Sequence, residues 1–207
     1  MPDQMTDADI SLLKRRVDKR PMGLLHLFRK PALDSSQRSD LMQRINQAAG
    51  GKVVDLESEF CFNIESSGPI STKSMKVLEW LLSETFEPEY FSRDSFLTVE
   101  DGILFEVGPR MNFSTAWSTN AVSICHACGL PSIERIERSR RYLFKVSDQI
   151  TDIERIGILD TIHDRMTECL YPAPLETFDT GILPEPVYHV PLLEDGRSAL
   201  EKINREM

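Results

Sequence analysis

The sequence predicts an α+β fold: two similar halves, each an antiparallel sheet covered by helices, followed by a proline-rich linker. Three observations predict it. The runs KVVDLESEFCFNIES and SIERIERSRRYLFKV are long and strand-like, the first alternating apolar and polar side chains and the second rich in arginine. Between such runs stand stretches whose apolar residues recur three and four apart, the period of a helix packed on one face. The resulting order is strand, helix, strand, helix, hairpin, helix, strand, helix. It suits small antiparallel sheets with helices segregated to one face. No residue-level repeat accompanies the two halves.

Residues 1–20 read as a terminal arm. Within it Ile10, Leu12, Leu13 and Val17 suit a short helix, and Lys14, Arg15, Arg16, Lys19 and Arg20 make its end basic. The domain proper spans residues 21–170. It opens with GLLHLFRKPAL, an apolar strand stopped by Pro31, which has no N–H for a ladder. Asp34, Ser35 and Ser36 are capping residues before a helix carrying Leu41, Ile45 and Ala48, and Gly50 and Gly51 close it. In the next strand Val54, Leu56, Phe60, Phe62 and Ile64 fall on one side. Pro69 and Ser71 open a helix with Val77, Leu78, Leu81 and Leu82 at helical spacing, and Pro88 breaks the chain.

FLTVEDGILFEVGPR reads as a hairpin turning at Asp101-Gly102. A helix from about Thr119 to Cys128 follows, ended by Gly129. The arginine-rich strand comes next. Then TDIERIGILDTIHDRMTECL reads as one amphipathic helix with Ile153, Ile156, Leu159, Ile162, His163 and Met166 on a single stripe. Over residues 171–207, Pro172, Pro174, Pro184, Pro186 and Pro191 exclude ladders and helix interiors, so this part reads as a linker or strap. GRSALEKINREM is a helix start without a stop, as expected of a chain that continues.

Composition narrows the function classes. A formal net charge of −9 opposes binding to duplex nucleic acid or to an anionic membrane surface, both of which need excess Lys and Arg. No apolar run approaches the ~20 residues of a spanning helix. The acidic start lacks the basic and apolar regions of a secretory signal. Four cysteines are too few for a disulfide scaffold and suit a reducing cytosol.

The candidate chemistry is concentrated in one loop. Arg110, Asn112, Ser114, Thr115, Ser118, Thr119 and Asn120 gather guanidinium, amide and hydroxyl groups ahead of a helix, where free N–H groups and the macrodipole favour anions. The plainer reading is that Ser118 or Thr119 caps the helix while Phe113 and Trp117 staple the loop down. Elsewhere signals are weak. Cys125 and Cys128 have C-x-x-C spacing but no second ligand pair, and read as small hydrophobes buried on one helical face. His26, His126, His163 and His189 follow no metal pattern and have no obvious nucleophile in sequence. Phosphate-cradling glycine motifs are absent. Glu134 and Glu137, interleaved with Arg135, Arg138, Arg140 and Arg141, suggest a paired or solvated surface.

Several phrases are distinctive together. FCFNIE, LEWLLSETFEPEYFSRDSFL, VGPRMNFSTAWSTNAVSIC, ERSRRYLF, IHDRMTE and GRSALEKIN occur in order from Leu24 to the C-terminus. They resemble the N-terminal region of phosphoribosylformylglycinamidine synthases of the large, single-chain form. The resemblance implies an accessory domain like a fused pair of the small subunit of split versions, followed by the start of a helical linker. It implies membership of an enzyme that uses glutamine, ATP and magnesium to convert formylglycinamide ribonucleotide into the amidine. The synthetase and glutaminase regions of that enzyme are the implied partners. This segment matches neither, so no catalytic residue and no metal or cofactor ligand carries over to it. The seven loop residues are expected to face the synthetase. A stand-alone interaction protein derived from the same domain is the alternative, and an isolated segment with uncovered edges is open to self-association.

Overall fold

The computed structural model describes residues 23–99, 102–181 and 189–206. The arm over residues 1–20, the expected turn residue Asp101, and Pro184 and Pro186 lie outside the described residues.

Strand β1 (Leu25–Arg29) leads to helix α1 (Ser35–Ala48) and the long strand β2 (Val53–Ser66). Asp34 caps α1 through a reciprocal box: its carboxylate accepts from Gln37 N–H at 2.8 Å, and its own N–H donates to the Gln37 side chain. Gly50 and Gly51 exit the helix at φ of 60° and 78°, a region that other side chains avoid. Helix α2 (Thr72–Leu82) follows, capped by Ser71, and after a 3-10 turn at Pro88–Tyr90 comes the two-residue strand β3 (Phe91–Ser92). The chain then builds β4 (Gly102–Pro109), α3 (Ala116–Ala127), the long β5 (Ile133–Val146), α4 (Asp152–Ile162) and β6 (Glu168–Tyr171). Two short helices, α5 (Leu192–Asp195) and α6 (Arg197–Glu206), end the described chain.

All six strands join one antiparallel sheet in the order β3-β1-β2-β5-β4-β6. The sheet is continuous where two small sheets were expected, because β2 and β5 pair along almost their whole length at its centre. The apolar residues of the four longer helices meet one face. Leu41, Ile45, Ile158 and Ile162 pack on Leu56, Phe105, Val107, Tyr142 and Phe144. Leu78, Leu82 and Cys125 pack on Leu27, Phe62, Ile64, Ile133 and Ile136. Each fully buried Leu, Ile or Phe contributes about 1.5–3 kcal/mol by leaving water, which is why these faces are apolar in the sequence.

Four expectations are corrected. Val54 is 61% exposed, because a register shift between Val53 and Asp55 turns Val53 inward in its place. Residues 96–99 form no strand, so no hairpin partner precedes β4, which pairs instead with β5 and β6. Helix α3 begins at Ala116 rather than near Thr119. Helix α4 ends at Ile162, and the residues expected to continue it fold back as β6, leaving Ile153 and Met166 exposed. The buried stripe of α4 is Ile158 and Ile162, set by its packing beside α1.

Candidate functional site

The loop between β4 and α3 is anchored by a buried carboxylate. Glu137 on β5 is 1% exposed and accepts three hydrogen bonds: from Thr115 N–H at 3.1 Å, Thr115 Oγ1 at 2.8 Å and Arg135 Nε at 3.1 Å. Arg135 extends the clamp, donating to the carbonyls of Met111 and Phe113 and lying 4.2 Å from the Phe178 ring centroid. Thr115 in turn caps α3, its hydroxyl accepting from Ser118 N–H at 3.0 Å. Thr115, rather than Ser118 or Thr119, is therefore the cap, and its own amide is already occupied by protein carboxylate.

The seven predicted residues are brought together around this anchor but face different surroundings. Ser118 is buried, and the Thr119 hydroxyl donates to Thr115 O at 3.2 Å. Arg110 is exposed and donates through Nη2 to Arg165 O at 2.6 Å, while its backbone N–H donates to Thr167 O at 3.0 Å. Asn112, Ser114, Thr119 and Asn120 are exposed, so the loop presents amide and hydroxyl groups from a fixed backbone. Trp117 is the staple: its ring lies 6.0 Å from that of Phe62, with Arg138 5.2 Å from it.

The sheet face away from the helices holds a polar cluster that the sequence analysis did not assemble. Glu59, Asn63, Glu106, Glu137 and Ser139 are all buried there. Arg141 bridges Glu59 and Glu106, the latter at 3.3 Å, and stacks 5.2 Å from the Phe28 ring centroid. Ser139 donates to Glu106 at 2.6 Å, and Asn63 donates to Ser139 at 3.0 Å. Ser95 Oγ and Phe96 N–H close over Glu59 at 2.7 and 2.8 Å. Burial raises the Glu106 carboxyl above its ordinary 4.5, against the pull of Ser139 and Arg141. The available signal was the pairing of two charge ladders. Asp55, Glu59 and Glu65 on β2 meet Lys145, Arg141 and Arg135 on β5 in register.

Within this cluster Cys61 Sγ lies 3.6 Å from His26 Nδ1, a contact between residues 35 apart in sequence. A thiol beside an imidazole resembles a nucleophile and its base. Here burial and the charge of Glu106 push the thiol far above its ordinary range, and burial lowers the His26 imidazole. Both shifts favour the neutral pair over the thiolate–imidazolium pair that a nucleophile needs. Of the C-x-x-C pair only Cys125 is buried; Cys128 caps the C-terminus of α3 and is exposed, contrary to the expectation for both. Among the described residues no group of three His, Cys, Asp or Glu side chains is placed to hold a metal ion. Nor is any helix among them long and apolar enough to cross a membrane.

Comparison with known proteins identifies relatives of the chain. The chain is 45% identical over 194 residues to the phosphoribosylformylglycinamidine synthase of Dictyostelium discoideum, covering 90% of this chain and 14% of that protein. It is 42% identical over 196 residues to a probable phosphoribosylformylglycinamidine synthase, chloroplastic/mitochondrial, of Arabidopsis thaliana, covering 92% of this chain and 14% of the relative. The human phosphoribosylformylglycinamidine synthase is 35% identical over 189 residues, covering 89% of this chain and 14% of that protein. The chain thus spans about one seventh of the length of these relatives. Residues 59–177, which contain the buried polar cluster and the anchored loop, match the family described as Formylglycinamide ribonucleotide amidotransferase N-terminal, and the chain belongs to that family.

Proposed function

We propose that this chain is the N-terminal accessory part of a glutamine-dependent, ATP-using C–N ligase of purine biosynthesis. That ligase makes formylglycinamidine ribonucleotide from formylglycinamide ribonucleotide, glutamine and ATP with magnesium. Chemistry is housed in synthetase and glutaminase regions beyond this segment, and the segment holds those regions in register. The observation that carries the reading is an exposed polar loop held on a rigid, buried carboxylate anchor within the stretch that matches the family. Such an arrangement presents a fixed polar surface to a neighbouring region. Free cysteines suit a reducing compartment such as the cytoplasm. Residues 171–207, with Pro172, Pro174 and Pro191, serve as the linker into the next region.

Mixing the purified chain with the remainder of its polypeptide, expressed separately, tests the reading. Amidine formation dependent on glutamine and ATP is expected only in the mixture. Full activity of the remainder alone sinks the accessory role. Arg110→Ala with Asn112→Ala in the full-length enzyme is expected to lower amidine formation by about tenfold or more, since small misplacements of a site are costly. Glutaminase chemistry is expected to continue. Wild-type turnover in that double variant removes the loop from the interface with the synthetase.

A further inference from the structure

The helix-bearing face of the sheet carries a charged strip between its two apolar cores. On β5 the side chains of Ile136, Arg138, Arg140 and Tyr142 alternate onto that face, with Ile136 in one core and Tyr142 in the other. Register sets Arg138 opposite Phe62 and Arg140 opposite Phe60 on β2, and Arg29 of β1 faces Phe60 from the other side. Arg29 and Arg138 hold their guanidinium groups 5.3 and 4.4 Å from the Phe60 ring centroid, and Arg138 lies 5.2 Å from that of Trp117. Glu84 pairs with Arg29 at 2.7 Å, and Glu168 takes Arg140 through both oxygens at 2.5 and 2.7 Å. Arg138 meets ring faces but no hydrogen-bond acceptor and no carboxylate among the described residues.

That sets Arg138 apart. The other half-buried arginines among the described residues, Arg29, Arg135, Arg140 and Arg141, each pair with a carboxylate. An unpaired charge is costly to bury, and here burial, then the like charges of Arg29 and Arg140, lower the guanidinium below its ordinary 12.5. Stacking on Phe60 and Trp117 engages the flat face of the group and leaves its N–H edge unused, the fork that grips two oxygens of an acid. Water reaches the strip, since the Arg29 and Arg140 side chains are 19% and 33% exposed. Three cations against Glu84 and Glu168 leave one positive charge for an incoming anion to balance. We propose that Arg138, flanked by Arg29 and Arg140, is an oxyanion site that takes a carboxylate or phosphate group through its free fork. The two rings fix the direction of the fork, and the flanking arginines, each held by its glutamate, add attraction from both sides.

The Arg138 Nε–H resonance of the nitrogen-15-labelled chain reads the site, with Arg138→Lys assigning it. The chain is titrated with sodium acetate and, separately, sodium phosphate at neutral pH, against sodium chloride at the same ionic strength. A saturable shift beyond that in chloride is expected. Saturation by acetate assigns a carboxylate as the occupant, and saturation by phosphate alone assigns a phosphate group. The indole N–H resonance of Trp117, beside the site, follows the same titration in the variants. Arg138→Lys keeps the charge without the fork and is expected to weaken binding by about tenfold or more. Arg138→Met packs on the same rings and is expected to abolish it, with a cooperative urea transition certifying the fold. Resonances that move no more with acetate or phosphate than with chloride overturn the proposal and leave Arg138 as a stacking residue. An affinity that Arg138→Lys leaves unchanged also overturns it, placing the anion elsewhere.

Discussion

Glu137 is the residue whose loss tells most about how the loop is held. Glu137→Ala removes a carboxylate that is 1% exposed and accepts from Thr115 N–H, Thr115 Oγ1 and Arg135 Nε. A hydrogen bond to a charged group contributes about 1.5–3 kcal/mol, and breaking a buried ion pair costs about 3–5 kcal/mol through the charge left behind. These figures overlap rather than add. Arg135 keeps two backbone carbonyls and the Phe178 ring, and its side chain is 13% exposed, so the lower end applies: about 3 kcal/mol. With a urea slope of about 2 kcal/mol/M the unfolding midpoint falls by about 1.5 M. Glu137→Gln keeps an acceptor oxygen but not the charge, and is expected to lose about half as much. Urea titration followed by the fluorescence of Trp117, which sits two residues beyond the cap, measures both. A Glu137→Ala midpoint within about 0.25 M of wild type, equivalent to the ~0.5 kcal/mol of ordinary surface changes, refutes the clamp.

Other outcomes follow from the buried face. The raised Glu106 carboxyl contributes stability that is present below its ordinary 4.5 and lost as pH rises through its folded value, so Glu106→Gln should gain on the wild type as pH increases. Urea midpoints at about pH 4.5 and about pH 8 that run parallel for the two proteins contradict this. In the native chain at neutral pH a thiol reagent is expected to modify the exposed Cys128 and spare Cys61 and Cys125, both raised by burial. Rapid native-state labelling of Cys61, read by peptide mass mapping, sinks the assignment of Cys61 and His26 as a neutral pair.

The sequence determined the local elements wherever short-range physics suffices. Asp34 and the Gly50-Gly51 pair bound α1, and Ser71 starts α2, because caps and positive-φ glycines act within a turn of their own position. The seven loop residues were legible as polar groups before a helix, and the order of ligase-like phrases placed the chain in its family. Tertiary structure decided the rest. Whether Val53 or Val54 turns inward depended on a bulge set by pairing with β5. Where α4 stops depended on β6 joining β4. Thr115 became the cap because Glu137, 22 residues away, receives it. The clusters joining Glu59, Glu106, Ser139 and Arg141, and Cys61 with His26, are made of side chains far apart in sequence. Periodicity assigns a charged residue to one side of a strand or the other. It cannot say that the helix-free side is closed over by the segments at Ser95–Leu97 and Leu175–Phe178, and burial by distant chain is what turns a solvated charge ladder into an anchored core.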